Sequence, residues 1–355
     1  RRPPRSTLFP YTALFRSFPA ALTGGPSGAA LTAGNTLVIK PASVTTWTTA
    51  LLVDCFRQAG IPDGVVNFVS GPGSTVGKAL VESKDVDGIT FTGSFDVGMD
   101  IYRTFGSGDY IRPTILELGG KNPTIVSKNA NLEDAAIGIV RSAFGLQGQK
   151  CSACSRVFVE EELYEKLVAR VVELTQKLKI GDPVERDTYM GPVVTKGSYQ
   201  DFQDFCKDLK EAGKIATGGN VLTEGEFGKG YFCEPTVAVD VPITHKLWQQ
   251  EMFVPITMIH PVKSLQEAME LANGVKYGLT AGFYGTEEEV GWFFDNIEAG
   301  VVYANRPQGA TTGAWPGFQP FGGWKGSGAS GKNAGGLYYL PLYMHEQSQT
   351  FIQRA

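Results

Sequence analysis

Residues 144–156 read FGLQGQKCSACSR, a glycine-bounded run that sets Cys151 between a lysine and a serine just after a helix-like stretch. A free thiol has a pKa near about 8.5 and attacks as thiolate, which an electropositive, partly exposed setting favours. Lys150 and the amides of the surrounding loop would supply that setting, which makes Cys151 a candidate nucleophile. Other roles fit the same residue types. Cys151 and Cys154 could be small buried hydrophobes, a Cys-x-x-Cys redox pair, or half of a zinc site. Zinc finds no further ligands, because Cys55, Cys206 and Cys233 are isolated and His245, His260 and His345 lie at no ligand spacing, so no metal site is expected. A thioredoxin-type pair would open a helix after the first strand of a small domain, whereas this pair follows two strand–helix units in a much longer chain.

The elements that must position such a thiol belong to a chain of 355 residues, 42% hydrophobic, enough for one large core or two ordinary ones. Its 44 glycines show no period and so mark tight turns and close backbone approaches rather than low complexity. A net charge of −4 and a pI near 5.6 leave no basic stripe for nucleic acid. An odd count of 5 cysteines without paired spacing fits a reducing compartment. No apolar stretch approaches the roughly 20 residues of a membrane span. The expectation is a cytoplasmic enzyme.

Arg1, Arg2, Arg5 and Arg16 precede the first acidic residue, Asp54, yet Pro3, Pro4 and Pro10 interrupt any amphipathic targeting helix. Residues 7–17, TLFPYTALFRS, read like the in-frame translation of a sequencing-library adapter. Residues 1–17 are therefore set apart as an assembly artefact joined to a truncated gene.

From residue 18 onward strands and helices alternate. Apolar runs at 35–39, 65–70, 88–92 and 115–118 read as strands, with a helical pattern over 45–59 stopped by Gly60 and a second helix opened by the glycines of 71–77. Such alternation implies an α/β fold with a parallel sheet covered by helices, and ligands bind outside the carboxyl ends of its strands. Polar and glycine residues collect at those ends: Lys40 after the first strand, GPGSTVG with Gly73 and Gly77 after the second, Thr92-Gly93-Ser94 after the third, Glu117 with Gly119 and Gly120 after the fourth. The glycine spacing is not the G-x-G-x-x-G of common dinucleotide folds, and a plain turn explains it as well. A helix N-terminus there would nevertheless offer amides to a pyrophosphate, and Lys40 could reach a ribose hydroxyl.

Lys40-Pro41, FTGS at 91–94, ELGGK at 117–121, GQKCSACSR at 148–156, EMFVP at 251–255 and PFGG at 320–323 together resemble the aldehyde dehydrogenase superfamily in order and spacing. The resemblance implies a Rossmann-like parallel-sheet cofactor domain at 18–118, an α/β catalytic domain at 119–326 and a bridging or oligomerisation tail at 327–355. It implies that Cys151 attacks an aldehyde, that hydride passes to a nicotinamide, and that Glu117 activates the water that hydrolyses the thioester. The cofactor would be NAD, with NADP possible because Ser43 stands where many NAD-preferring members carry glutamate. Its contacts would be Lys40, Pro41, Ser43, Gly73, Gly77, Phe91, Thr92, Gly93, Ser94, Leu118, Gly119, Glu251 and Phe253. Ser17 stands where the family places an oxyanion-donating asparagine, a loss worth on the order of 10²–10³ in turnover.

Residues 305–323, NRPQGATTGAWPGFQPFGG, and Ser152 beside the nucleophile resemble the subfamily that oxidises glutamate γ-semialdehyde. That resemblance implies a small aldehyde substrate bearing a carboxylate, held by Ser152 and the amides of Gly313 and Ala314, with Phe144 and Phe321 lining its path. A loop without carboxylate preference, another semialdehyde dehydrogenase, a nucleotide-binding remnant without catalysis and a thiol–disulfide exchanger remain open. A homo-oligomer is expected, with the aromatics of 292–296 and 337–343 in its contacts or in the core.

Overall fold

The structure, a computed structural model, describes residues 18–309 and 319–353 together with the backbone of 8–13. Two sheets organise it. The first contains β1 (Leu8–Ala13), β2 (Thr36–Lys40), β3 (Val66–Phe68), β4 (Ile89–Thr92) and β5 (Thr114–Glu117) in the order β3-β2-β1-β4-β5. Every pairing in it is parallel. β1 lies inside the stretch set apart on sequence grounds, and its backbone occupies the centre of this sheet, pairing Tyr11 with both Ile39 and Thr90.

Alternation along the strands explains how both faces are covered. Leu37, Ile39 and Ile115 pack with α1 (Pro19–Thr32) and α2 (Thr46–Gln58). Ile89 and Phe91 face the other way, toward α3 (Lys78–Glu82) and α4 (Phe95–Phe105). The chain end returns onto this sheet: Tyr343 is buried against Ala30, Leu37 and Ile115, and its carbonyl accepts from Asn35 Nδ2 at 2.9 Å. Leu337 and Tyr338 of the same tail remain exposed.

The second sheet holds β6 (Asn122–Val126), β7 (Cys154–Glu160), β8 (Lys214–Thr217), β11 (Thr236–Val239), β12 (Ile256–Val262), β14 (Thr280–Tyr284) and β15 (Val301–Ala304). Its order is β15-β14-β6-β7-β12-β11-β8, and β8 alone runs antiparallel to its neighbour. Two short pairs, β9 (Val221–Leu222) with β10 (Phe232–Cys233) and β13 (Tyr277–Gly278) with β16 (Trp324–Lys325), complete the pattern. Val157 and Val159 point to a core shared with α5 (Leu132–Phe144) and α6 (Glu161–Gln176). Phe158 between them points to the opposite core, built on α7 (Lys196–Ala212), α8 (Leu265–Asn273) and α9 (Glu287–Asn296). β7 is thus buried on both sides, the usual condition of a central parallel strand. No helix among the described residues is long and apolar enough to cross a membrane.

Local sequence fixes the helix that leads to Cys151. Asn131 caps α5 by accepting from the Asp134 N–H, and Glu133 and Asp134 suit the positive end of the helix dipole. Its apolar residues Ala135, Ile139, Val140 and Ala143 recur at helical spacing and pack on β6 and β7.

Candidate active site

Beyond α5 the backbone turns left-handed for three residues in succession, Leu146 (φ 54), Gln147 (φ 57) and Gly148 (φ 65). Non-glycine residues in that region cost on the order of 1–3 kcal/mol each, and surrounding structure must hold them there. Gly148 is required for a second reason: a Cβ on it would lie 2.5 Å from the Val254 carbonyl oxygen. Gln149 then ties the turn to the neighbouring segment, accepting from the Val194 N–H at 2.9 Å and donating to Ser198 Oγ.

Lys150 plays only some of the part expected of it: its charge and that of a Cys151 thiolate attract. Its buried ammonium reaches the Arg141 carbonyl in the last turn of α5 at 3.4 Å, and burial lowers its pKa to about 8. The thiol of Cys151 instead faces the carboxylates of Glu117 and Glu251, and burial with these two charges pushes its pKa up to about 12. The electropositive setting read from the sequence is therefore only partial: the Cys151 and Ser152 backbone N–H groups donate to the sulfur and the Lys150 ammonium attracts the thiolate, but burial and the two carboxylates outweigh them. Leu279, Val301 and Phe321 enclose the thiol, and Phe321 is held by two backbone hydrogen bonds to Ala334.

Glu117 ends β5 beside Thr92 of β4. It is buried, and desolvation raises its pKa from 4.5 to about 8, against the opposing effect of hydrogen bonds from the Asn333 side chain and the Gly323 backbone. Its Oε1 has no hydrogen-bond partner among the described residues, which leaves it a free acceptor for a water proton. Glu251 is also pushed up by burial, to about 7, while Gly120 N–H holds it at 3.0 Å. A Cβ on Gly119 would fall on the Glu251 carboxylate, and one on Gly120 would lie 2.6 Å from the Cys151 carbonyl oxygen. The glycine pair after Glu117 thus lets the base, Glu251 and the nucleophile loop approach one another.

A cleft of about 480 Å3 opens at the carboxyl ends of β2 and β4, with Lys40, Gly73, Gly77 and Phe91 among its walls. Lys40 Nζ donates to the Pro41 carbonyl at 2.9 Å, and burial lowers its pKa. Thr92, Gly93 and Ser94 run from β4 to the start of α4, and Gly93 N–H bonds the Glu117 carbonyl at 3.0 Å. This hydrogen bond links the edge of the cleft to the base.

Other expected residues are placed differently. Ser43 is exposed and does not line the cleft. The Leu118 side chain is packed into the core beneath Phe91, which leaves only its backbone for a ligand. Phe253 is half-buried with φ 55 in the same loop as Glu251. Phe144 was expected on the substrate path, but it ends α5 on the face that packs on the sheet and is fully buried in the catalytic core. Ser152 is buried beside the thiol, with its carbonyl accepting from Thr280 Oγ1. Gly313, Ala314 and Ser17 lie outside the described residues. Cys154 begins β7 in the core, where its sulfur contacts Thr124 Oγ1 at 3.2 Å, and both it and Cys151 are free. A core thiol engaged in this way does not suit rapid disulfide exchange.

Three residues that the sequence reading passed over support the site. Asn122 Nδ2 donates to the carbonyls of Cys151 and Ala153. Ser327, fully buried, donates to the Gly119 carbonyl at 2.6 Å and accepts from Gly278 N–H. Asn333 donates to the Leu116 carbonyl at 2.7 Å. A buried polar residue next to glycines was the available signal, since such a side chain must find partners.

Known proteins agree with this geometry. The profile described as the aldehyde dehydrogenase family matches residues 17–348. A 1-pyrroline-5-carboxylate dehydrogenase of Geobacillus thermodenitrificans is 40% identical over 343 residues, covering 94% of this chain and 64% of that protein. The chain therefore spans a little under two thirds of the length of this relative. Among solved structures, 1-pyrroline-5-carboxylate dehydrogenase from Thermus with bound NAD superposes with a TM-score of 0.89 at 37% identity, covering 95% of this chain and 65% of the other. Betaine aldehyde dehydrogenase from Staphylococcus aureus gives a TM-score of 0.89 at 28% identity, with coverages of 96% and 67%. A thiol beside two amides, a buried glutamate facing it and a cleft at the ends of parallel strands thus occur in a sequence matched along nearly its whole length, and the chain belongs to the aldehyde dehydrogenase family.

Proposed function

We propose that the protein oxidises glutamate γ-semialdehyde to glutamate with NAD, through a thioester on Cys151. The observation that carries the chemistry is the buried Glu117 carboxyl with its free Oε1, facing a thiol whose sulfur accepts from two amides. Cys151 gives its thiol proton to solvent water as its sulfur attacks the aldehyde carbon, leaving a hemithioacetal oxyanion beside the same amides. A nicotinamide cofactor held by Lys40, Gly73, Gly77, Glu251 and Phe253 would supply the hydride acceptor that turns this adduct into a thioester on Cys151. Glu117 then takes a proton from water as the water adds to the thioester. Collapse breaks the carbon–sulfur bond, releases the carboxylate and regenerates the thiol.

The cleft at Lys40, Gly73, Gly77 and Phe91 suits the adenosine half of the cofactor, because a buried amine beside a glycine-walled space can bind ribose hydroxyls. Glu251 and Phe253 would meet the nicotinamide half. Ser43 presents no negative charge to a 2′-phosphate, so NADP would be accepted to a degree. The semialdehyde itself is favoured by the 40% identity to a protein named for 1-pyrroline-5-carboxylate. Ser152, Gly313 and Ala314 would hold the substrate carboxylate. We also infer a cytoplasmic homo-oligomer, with Leu337 and Tyr338 among the exposed apolar residues available for contact.

The test is a substrate panel with both cofactors. Glutamate formed from the semialdehyde with NAD is the expected result, and turnover of simple aliphatic aldehydes with none of the semialdehyde would defeat the substrate assignment. Cofactor binding with no burst of reduced cofactor would point instead to a nucleotide-binding remnant.

A further inference from the structure

Asn122 opens β6, five residues beyond Glu117 at the end of β5, and is only 3% exposed. Its Nδ2 donates to the Cys151 carbonyl at 2.7 Å and to the Ala153 carbonyl at 2.9 Å. Its Oδ1 accepts from the Thr280 N–H at 3.0 Å. Both amide protons and the oxygen are engaged, and the opposite amide orientation would set oxygen against two carbonyls. The peptide joining Cys151 to Ser152 is planar and trans, so its C=O and N–H point in opposite directions. A grip on the Cys151 carbonyl therefore sets the direction of the Ser152 N–H, and that N–H donates to Cys151 Sγ. Gly120 leaves the room this needs, since a Cβ there would lie 2.6 Å from both Asn122 Oδ1 and the Cys151 oxygen.

We propose that Asn122 is a positioning residue for the nucleophile: by holding the Cys151 carbonyl it aims the N–H at the far end of the same peptide at the Cys151 sulfur. The inference rests on the reading of Cys151 as nucleophile. The charged groups that act on the sulfur are the carboxylates of Glu117 at the end of β5 and Glu251 before β12, both unfavourable to a thiolate, and the Lys150 ammonium, which attracts it. The Lys150 ammonium engages the Arg141 carbonyl. The amides are the hydrogen-bond donors to the sulfur itself, and their aim depends on the side chain that fixes the peptide plane.

The pH dependence of iodoacetamide alkylation at Cys151, followed by peptide mass spectrometry on the whole chain, tests this. Asn122→Asp keeps the shape of the side chain but sets an oxygen against the two carbonyls, and Asn122→Ser is too short to reach them. Each is expected to raise the alkylation pKa of Cys151 by about one pH unit, a tenfold loss of thiolate below that pKa, while cofactor affinity stays within about twofold. A role confined to stability would move the urea midpoint and leave the alkylation profile in place. That outcome in either folded variant overturns the inference. A wild-type chain that oxidises no aldehyde while the variants still shift the profile defeats the proposed function alone.

Discussion

The Glu251 carboxylate accepts from the Gly120 N–H at 3.0 Å, three residues beyond the strand end that carries Glu117, and it also faces the Cys151 thiol. Its pKa, raised to about 7 by burial, makes this residue neutral in acid and charged in mild alkali. Glu251→Gln keeps an acceptor for Gly120 and removes the charge. Alkylation of Cys151 should then be several-fold faster than in the wild type above pH 7 and unchanged near pH 5. Equal rates at pH 8 would show that Glu251 does not influence the thiol.

Glu117→Gln separates the two halves of the reaction. Hydride transfer needs no base at this position, so one equivalent of reduced cofactor should still appear in a rapid burst. Steady turnover should fall by about 10²–10⁴ because thioester hydrolysis has lost its base. In the wild type turnover should rise with pH through about 8, where Glu117 ionises. Stopped-flow absorbance distinguishes the phases, and loss of the burst together with turnover would contradict the assignment.

The same residue has a predictable effect on stability. Its folded pKa of about 8 lies above the usual 4.5, so the folded state binds the proton more tightly and stability falls as pH rises between those values. The stabilising contribution is present below about 4.5 and is gone above about 8, an upper bound of roughly 5 kcal/mol. Urea midpoints should thus decline from pH 5 to pH 9 in the wild type and decline less in Glu117→Gln. Parallel curves would show that Glu117 is not buried as a carboxyl.

Two buried cations beneath the site should respond oppositely. Arg156 donates to the carbonyls of Lys121, Leu271 and Ala272, at 2.9, 3.0 and 3.0 Å. Arg156→Met leaves these acceptors unpaired and should cost about 3–5 kcal/mol. Lys121 Nζ is buried with no hydrogen-bond partner among the described residues, and desolvation holds its pKa well below 10.5. Lys121→Met should be neutral or stabilising by about 1 kcal/mol or more. Urea denaturation of both variants checks the contrast.

Gly120→Ala should behave as an active-site variant although the residue has no side chain. The added Cβ meets the Cys151 carbonyl, a backbone atom that can move only by shifting the loop. A displacement near 1 Å at the nucleophile can lower turnover by about 10²-fold. Steady-state kinetics at saturating cofactor would detect it, and wild-type turnover would show that the loop tolerates the shift.

Four strands of the first sheet were legible because apolar runs ended in glycine or polar clusters, whereas β1 fell in the stretch set apart as an artefact. β2, β4 and β5 fall within a residue or two of the runs at 35–39, 88–92 and 115–118. α1 was not legible, since its sequence PAALTGGPSGAALT contains three glycines and an internal proline and shows no apolar stripe. It is helical because it is packed between β2 and α2, with Thr23 and Thr49 meeting at 3.4 Å. The Cys151 and Glu117 pairing could be anticipated from motif and spacing, whereas the direction of the thiol pKa could not. That direction depends on Glu251, a residue distant in sequence, and on how deeply the loop is buried. Lys150 was anticipated only in part: its charge attracts the Cys151 thiolate, but its ammonium is drawn to the Arg141 carbonyl, since adjacency in sequence says little about where a long side chain points.

The contact between Asn35 and the Tyr343 carbonyl spans 308 positions of the chain. A nascent chain can form β2 and α1 early, but part of the cover over their apolar face is supplied by a residue translated 308 positions after Asn35. The first sheet can therefore complete its core only after Tyr343 has been synthesised, and until then the uncovered Leu37 and Ile115 make it a candidate client for chaperones.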